Sequence, residues 1–252
     1  MRKLLCILVI LAGALCWHMT RPDTIHEKVG GPARPAAQET RTFPAGTPRP
    51  PEELPRSLQL VWEGWHIREI AHSRIPREDW VPLKQMSPWL PKAQVAVEDK
   101  RFYSHHGVDP DGIIRATLVN IQNDEVVEGA STITQQLLKN SVFTGWMNES
   151  SLIDRFRRKF QEQYLALQLE KKVSKEQILE DYLNTINLGA GTYGVQAASR
   201  RYFGKSVSEL NLSECAVLAG ITQNPTRYNP ITHPEENAVR RQTVLDYMLE
   251  QG

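Results

Sequence analysis

The chain of 252 residues is poor in cysteine, with three in all. Cys6 and Cys16 fall in an apolar N-terminal run and Cys215 stands apart, so neither a disulfide framework nor a CxxC metal pattern can be written. Cys215 sits in ECAVLAG, where an inert buried thiol is expected. A charge excess is missing too. Thirty basic against 29 acidic side chains create no global field that would draw nucleic acid. Strict apolar–polar alternation is scarce, which argues against a sheet protein. Nor is there an apolar run of about 20 residues, the usual length of a transmembrane helix. The nearest approach is LLCILVILAGALCW over 4–17, preceded by Arg2 and Lys3. A positive flank and a short apolar stretch read as a signal-anchor segment over 1–19, with a cleaved signal as the alternative. Either way the remainder is exported, because the positive end stays cytoplasmic.

Residues 20–56 are rich in Pro, Gly, Arg and Glu and nearly devoid of large apolar side chains, the composition of a Pro-stiffened linker. Residues 57–252 read as one compact, mainly α-helical domain, with at most a minor hairpin. Helices are expected over Leu90–Phe102 and from Asp111 to about Gln122, the latter opened by Asp109 as N-cap and Pro110 at N1. Thr132 with Gln135 and Ser174 with Gln177 are capping-box pairs. They open a short helix over 131–140 and a longer one with Ile178, Leu179, Tyr182, Leu183 and Ile186 on one stripe. Further helices are expected over Ile153–Glu170, Val195–Phe203 and Ser213–Ile221. Residues 141–151 read as irregular, and Gly189, Gly191 and Gly194 as a turn-rich loop.

Three stretches carry chemistry. In AVEDKRFYSHHG, 96–107, Glu98 and Asp99 close an apolar helix and Phe102 lies four residues on from Glu98. A carboxylate at the edge of an apolar face is a usable proton acceptor. The blander alternative is a solvated acid pair bonded to Lys100 and Arg101. His105 and His106 are adjacent and diverge, so they suit helix capping better than a metal. In GASTITQQLLKN, 129–140, a helix start with free N–H groups, hydroxyls and Lys139 suits a phosphate or pyrophosphate, the alternative being an ordinary polar helix end. In DRFRRKFQEQYLALQLEKK, 154–172, Arg155, Arg158 or Lys159, and Glu162 share a helical face, with Phe160, Tyr164 and Leu167 as an apolar stripe nearby. That face is either a solvated ion-pair surface or a cationic patch for phosphate oxygens beside a fixed carboxylate. Together, two carboxylates, a cationic patch and hydroxyl donors suit displacement at a sugar carbon with a pyrophosphate leaving group. An exported enzyme has no cytosolic nucleotide sugars, so a lipid-linked donor fits.

EDKRFYSHHGVD, GASTITQQLLKN, RRKFQEQYLALQLE and ILEDYLNTINLGAGTYGVQAASRRYFG occur in this order. The set resembles the peptidoglycan glycosyltransferases of glycosyltransferase family 51, the monofunctional transglycosylases and N-terminal halves of class A penicillin-binding proteins. The likeness covers roughly residues 80–250. It implies a lysozyme-like fold with a membrane-embedded lobe, and polymerisation of lipid II into β-1,4 glycan strands with inversion and release of undecaprenyl pyrophosphate. By motif position it implies that Glu98 is the general base. Glu162 is then the second carboxylate, assigned to the leaving pyrophosphate or to a divalent cation such as Mg or Mn. Lys139, Arg158 and Lys159 would bind phosphates, and Ser131, Thr132, Gln135 and Gln136 would line the donor and acceptor groove. Asp99, Phe102, His105, Gly107 and Asp109 would support the first motif, and 141–151 matches the family's mobile region.

The chain departs from the family pattern at Gln161, where Lys is common, at Asp154, where Arg is common and Arg155 follows one place on, and at Asn187, where an aromatic is common. No SxxK, SxN or KTG pattern occurs, so no transpeptidase domain is expected within these residues, although the tail from Ile221 reads like the joining region of a bifunctional protein. Implied partners are lipid II, the nascent glycan strand, membrane lipid, and division or elongation proteins, and no nucleic acid. The implied location is the cell membrane, single-pass, with the domain on the extracytoplasmic face. Two other readings remain: a scaffold that binds lipid II or glycan without turnover, and a lysozyme-like hydrolase, which needs a protonated Glu and no phosphate-binding cluster.

Overall fold

The computed structural model describes residues 49–52, 56–123, 129–143 and 151–252. The anchor expected over 1–19, most of the linker over 20–56 and most of the 141–151 segment lie outside the described residues. The fold is mainly helical. In chain order the helices are α1 (Arg56–Trp65), α2 (Ile67–Arg74), α3 (Trp89–Glu98), α4 (Pro110–Asn123), α5 (Ile133–Ser141), α6 (Leu152–Leu169), α7 (Lys175–Thr185), α8 (Val195–Phe203), α9 (Leu212–Ile221) and α10 (Pro234–Gln251). Among the described residues an isolated antiparallel bridge, Asn187 with Tyr193, is the only strand-like pairing. No helix of these residues is long and apolar enough to cross a membrane.

The chain divides into two compact units. The described part of one is α4 from Asp111 onward, together with Gly129. On it Ile114 and Leu118, four residues apart, are exposed. The other unit, Pro44–Pro110 and Ala130–Gly252, holds the hydrophobic core. At its centre α9 is buried from Cys215 through Ile221, as a helix apolar on every side must be. It packs against α3 and α10, while α5 packs against α6 and α7. The α7 stripe from Ile178 to Ile186 is buried as expected.

Local signals explain most boundaries. Thr132 with Gln135 and Ser174 with Gln177 form reciprocal capping boxes, and Asn211 with Glu214 forms a third. Three differences from expectation have physical causes. First, α3 stops at Glu98 rather than running to Phe102. Asp99 leaves the helix at φ −157°, ψ 69°, which frees its carboxylate to accept from another helix. Second, the apolar stripe of α6 is not Phe160, Tyr164 and Leu167; Tyr164 is exposed, and the buried face is Glu162, Leu165, Ala166 and Leu169. The glutamate itself holds a core position. Third, α1, α2 and α10 have no counterpart among the helices expected from sequence.

Candidate active site

The short helix α5 organises the site. Its first amide, Ile133 N–H, donates to Asp99 Oδ2 at 2.9 Å. The Thr132 hydroxyl accepts from Gln135 N–H at 3.2 Å and donates to the Gly107 carbonyl at 2.7 Å. These amides are therefore not free for a phosphate, contrary to the expectation from sequence; the polar side chains around the helix start are what remain. Asp99 is buried and also accepts from His105 Nε2 at 2.9 and 3.0 Å. His105 Nδ1 accepts from Gly107 N–H at 3.1 Å, which fixes the tautomer. His105 is thus a buried brace rather than a helix cap, while His106 is exposed.

Gly107 has φ +88°, and a Cβ there would stand 2.5 Å from the Ala166 backbone of α6, so only glycine fits. Arg101 Nε donates to Asp109 at 3.1 Å, which ties the end of this turn to its beginning. Phe102 is fully buried beneath it, with Lys175 Nζ 4.5 Å above the ring centroid. Lys175 pairs with Glu170 at 2.7 Å, and Glu170 accepts from Thr134 of α5 at 2.5 Å.

On one side of α5 lies Glu98, partly buried. Its Oε2 accepts from Gln136 Nε2 at 2.8 Å, and its Oε1 lies 2.7 Å from Thr222 Oγ, just past the end of α9. Gln136 Oε1 accepts from the Tyr182 hydroxyl at 3.0 Å. Gln94 Nε2 reaches both Tyr182 at 3.4 Å and Thr222 at 3.3 Å. Glu98, Gln136, Tyr182, Gln94 and Thr222 thus close a ring of side chains. Burial, then the charges of Glu98 and Asp99, push the Tyr182 phenol well above its ordinary range and keep it a donor.

On the other side lies Glu162, wholly buried on α6. Arg158 holds its Oε1 and Lys159 Nζ its Oε2 at 3.0 Å. Lys159 also donates to Ser131 Oγ at 3.0 Å and Gln135 Oε1 at 3.2 Å, so α6 and the start of α5 share one ammonium. The expected Arg155 is exposed. Lys139, one turn on from Gln135, links the two sides. Burial lowers its pKa most, Glu162 opposes this, Lys159 and Arg158 lower it further, and Glu98 raises it. Both acids therefore act on one ammonium. Glu162's oxygens are engaged by cations and a third cation acts on the same place, a donor set that repels a divalent ion. No group of three or more His, Cys, Asp or Glu among the described residues could hold a metal.

Apart from Arg155, the site residues expected from sequence in the second unit lie in these two clusters or in the brace behind them. Gln94, Tyr182, Thr222 and Lys175 were not anticipated. Signals exist in the sequence for two of them: Gln94 interrupts an otherwise apolar buried face, and Tyr182 carries a hydroxyl inside an aliphatic stripe. Each such polar group needs a buried partner.

The transglycosylase family model matches residues 64–249. Similar proteins include penicillin-binding protein 1A of Aquifex aeolicus, 44% identical over 71% of this chain and 24% of that protein. Penicillin-binding protein 1F of Bacillus subtilis is 44% identical over 73% and 25%, and penicillin-binding protein 1A of Escherichia coli 45% over 71% and 20%. The chain spans about a quarter or less of these relatives. Matched over most of its length, the chain belongs to the transglycosylase family, glycosyltransferase family 51.

Proposed function

We propose that residues 57–252 form a lysozyme-like peptidoglycan glycosyltransferase domain that polymerises lipid II into β-1,4 glycan strands. Glu98 removes the proton from the acceptor's 4-hydroxyl. The freed oxygen bonds to the donor's anomeric carbon from the face opposite the leaving group. The carbon–oxygen bond to pyrophosphate breaks, and its electron pair leaves on undecaprenyl pyrophosphate, so the anomeric centre inverts. Lys139, Arg158 and Lys159 stabilise that departing charge, and Glu162 fixes the last two in place. Ser131 and Gln135 orient Lys159, and Gln136 orients Glu98. The supporting observation is the placement of Lys139 under the influence of both carboxylates: one acid has neutral partners, the other is surrounded by cations.

A glycan hydrolase has no use for three cations around a buried carboxylate, which disfavours that reading. The N-terminal Arg2, Lys3 and apolar 4–17 support attachment to the cell membrane with the domain extracytoplasmic, spaced by the linker over 20–56. Membrane lipid, the growing strand and proteins of division or elongation are the partners this reading assigns.

The test incubates purified protein in detergent with labelled lipid II beside Glu98→Gln. Long strands from the parent and a rate lower by about 10²–10⁴ for the variant support the reading. Equal polymerisation by both overturns the role of Glu98. Binding without polymer by the parent identifies a scaffold, and cleavage of preformed glycan identifies a hydrolase.

A further inference from the structure

We infer that Thr222 is a positioning residue for Glu98, a hydroxyl rotor that serves both protonation states of the carboxylate. The inference rests on the reading of Glu98 as the base. Thr222 Oγ lies 2.7 Å from Glu98 Oε1 and 2.8 Å from the Ala219 carbonyl. A hydroxyl has one proton, so it donates to one of these at a time. Gln94 Nε2, at 3.3 Å, fills one of its lone pairs in either case.

With Glu98 ionised, the Thr222 proton points to Oε1. Once the carboxyl has taken the acceptor's proton, Oε1 is a weaker acceptor, and the same proton turns to the Ala219 carbonyl. The Thr222 proton thus has an acceptor in both states, Glu98 Oε1 in one and the Ala219 carbonyl in the other. The other oxygen has no such freedom. Gln136 can only donate to Oε2, because its own Oε1 is held by Tyr182. One oxygen is thus clamped and the other served by a rotor, which holds the base in place through the proton transfer. Glu98 acts on Lys139 of α5 and on Tyr182 of α7, and its chain neighbour Asp99 acts on Tyr182 as well.

The test compares Thr222→Val, which keeps the shape and removes the hydroxyl, with Thr222→Ser, which keeps the hydroxyl. Steady-state polymerisation is followed from pH 4.5 to 8.5 beside Glu98→Gln, with folding checked by circular dichroism. The Val variant is expected to lose about tenfold in kcat with KM for lipid II little changed. The acid limb of its pH–rate profile moves to higher pH, because a donor to the charged form is gone. The Ser variant returns both quantities to the parent's. A Val profile that superimposes on the parent's, or a Ser variant that behaves like Val, overturns the inference. Should Val not fold, Thr222→Ala against Thr222→Ser makes the same comparison. Polymerisation by Glu98→Gln at the parent's rate defeats the underlying reading; an inactive Glu98→Gln beside a parent-like Val profile defeats the rotor alone.

Discussion

Asp181 shows what the core of α7 tolerates next to a working side chain. Its carboxylate is buried, neither oxygen has a hydrogen-bond donor, and Arg68 Nη1 stands 3.8 Å away while its Nη2 serves Glu180 at 2.7 Å. Burial pushes its pKa up to about 7; Arg68 opposes this, and Glu180 and Glu69 add to it. The folded value therefore exceeds the unfolded one. From about pH 4 to pH 7 the unfolded chain has released a proton that the native state keeps, so stability falls as pH rises through this window. Asp181→Asn removes that loss. Thermal melts are expected to show little difference from the parent at pH 4 and a gain of about 1–3 kcal/mol at pH 8, less than the full linkage because the amide is also buried without partners. An equal shift at both pH values would mean that the carboxyl does not hold its proton. The next residue, Tyr182, is buried with its hydroxyl partnered, donating to Gln136 and accepting from Gln94.

Two helices start with the same chemistry and serve different ends. Ser174 and Thr132 each head a reciprocal capping box, but the box at Ser174 is exposed and the one at Thr132 is buried and also bonded to Gly107. Ser174→Ala is expected to cost about 1 kcal/mol and leave polymerisation unchanged. Thr132→Ala is expected to cost about 2 kcal/mol or more and also to lower turnover, because the cap holds the helix that carries Gln135, Gln136 and Lys139. Denaturant titrations and lipid II assays on the two variants separate these effects. The contrast also shows what was legible in sequence. Caps are local, so Thr132, Ser174 and the boundaries of α8 could be read directly. The overshoot of α3 could not, because Asp99 ends it for the sake of an amide 34 residues away. The face of α6 was misread because Glu162 counts as polar in any pattern, and only its contacts with Arg158 and Lys159 make burial tolerable. Pro234, Glu235 and Glu236 were available start signals for α10 that the joining-region reading passed over. The two carboxylates were found by motif; Gln94 and Thr222 lie 128 residues apart and meet only when α3 and α9 pack.

The second unit is built around α9, and its one cysteine reports on that centre. Cys215 is buried and burial pushes its thiol up to about 11, so at pH 8 it is neither accessible nor ionised. Iodoacetamide followed by peptide mapping is expected to leave Cys215 unmodified in the native protein and to label it fully in denaturant. Labelling under native conditions would show that α9 opens without global unfolding. The same architecture has a consequence for how this domain can change. The nine residues of α5 touch Glu98 through Gln136 and Lys159 through Gln135, and the loop before them reaches Lys159 through Ser131. Under the proposed mechanism, substitutions that tilt or shift this segment are expected to act on nucleophile activation and leaving-group departure together, with effects that multiply unevenly rather than add. Natural drift and protein engineering alike would then meet a single coupled adjustment, with compensating changes more readily found on α6 and α7, the helices packed on either side of it.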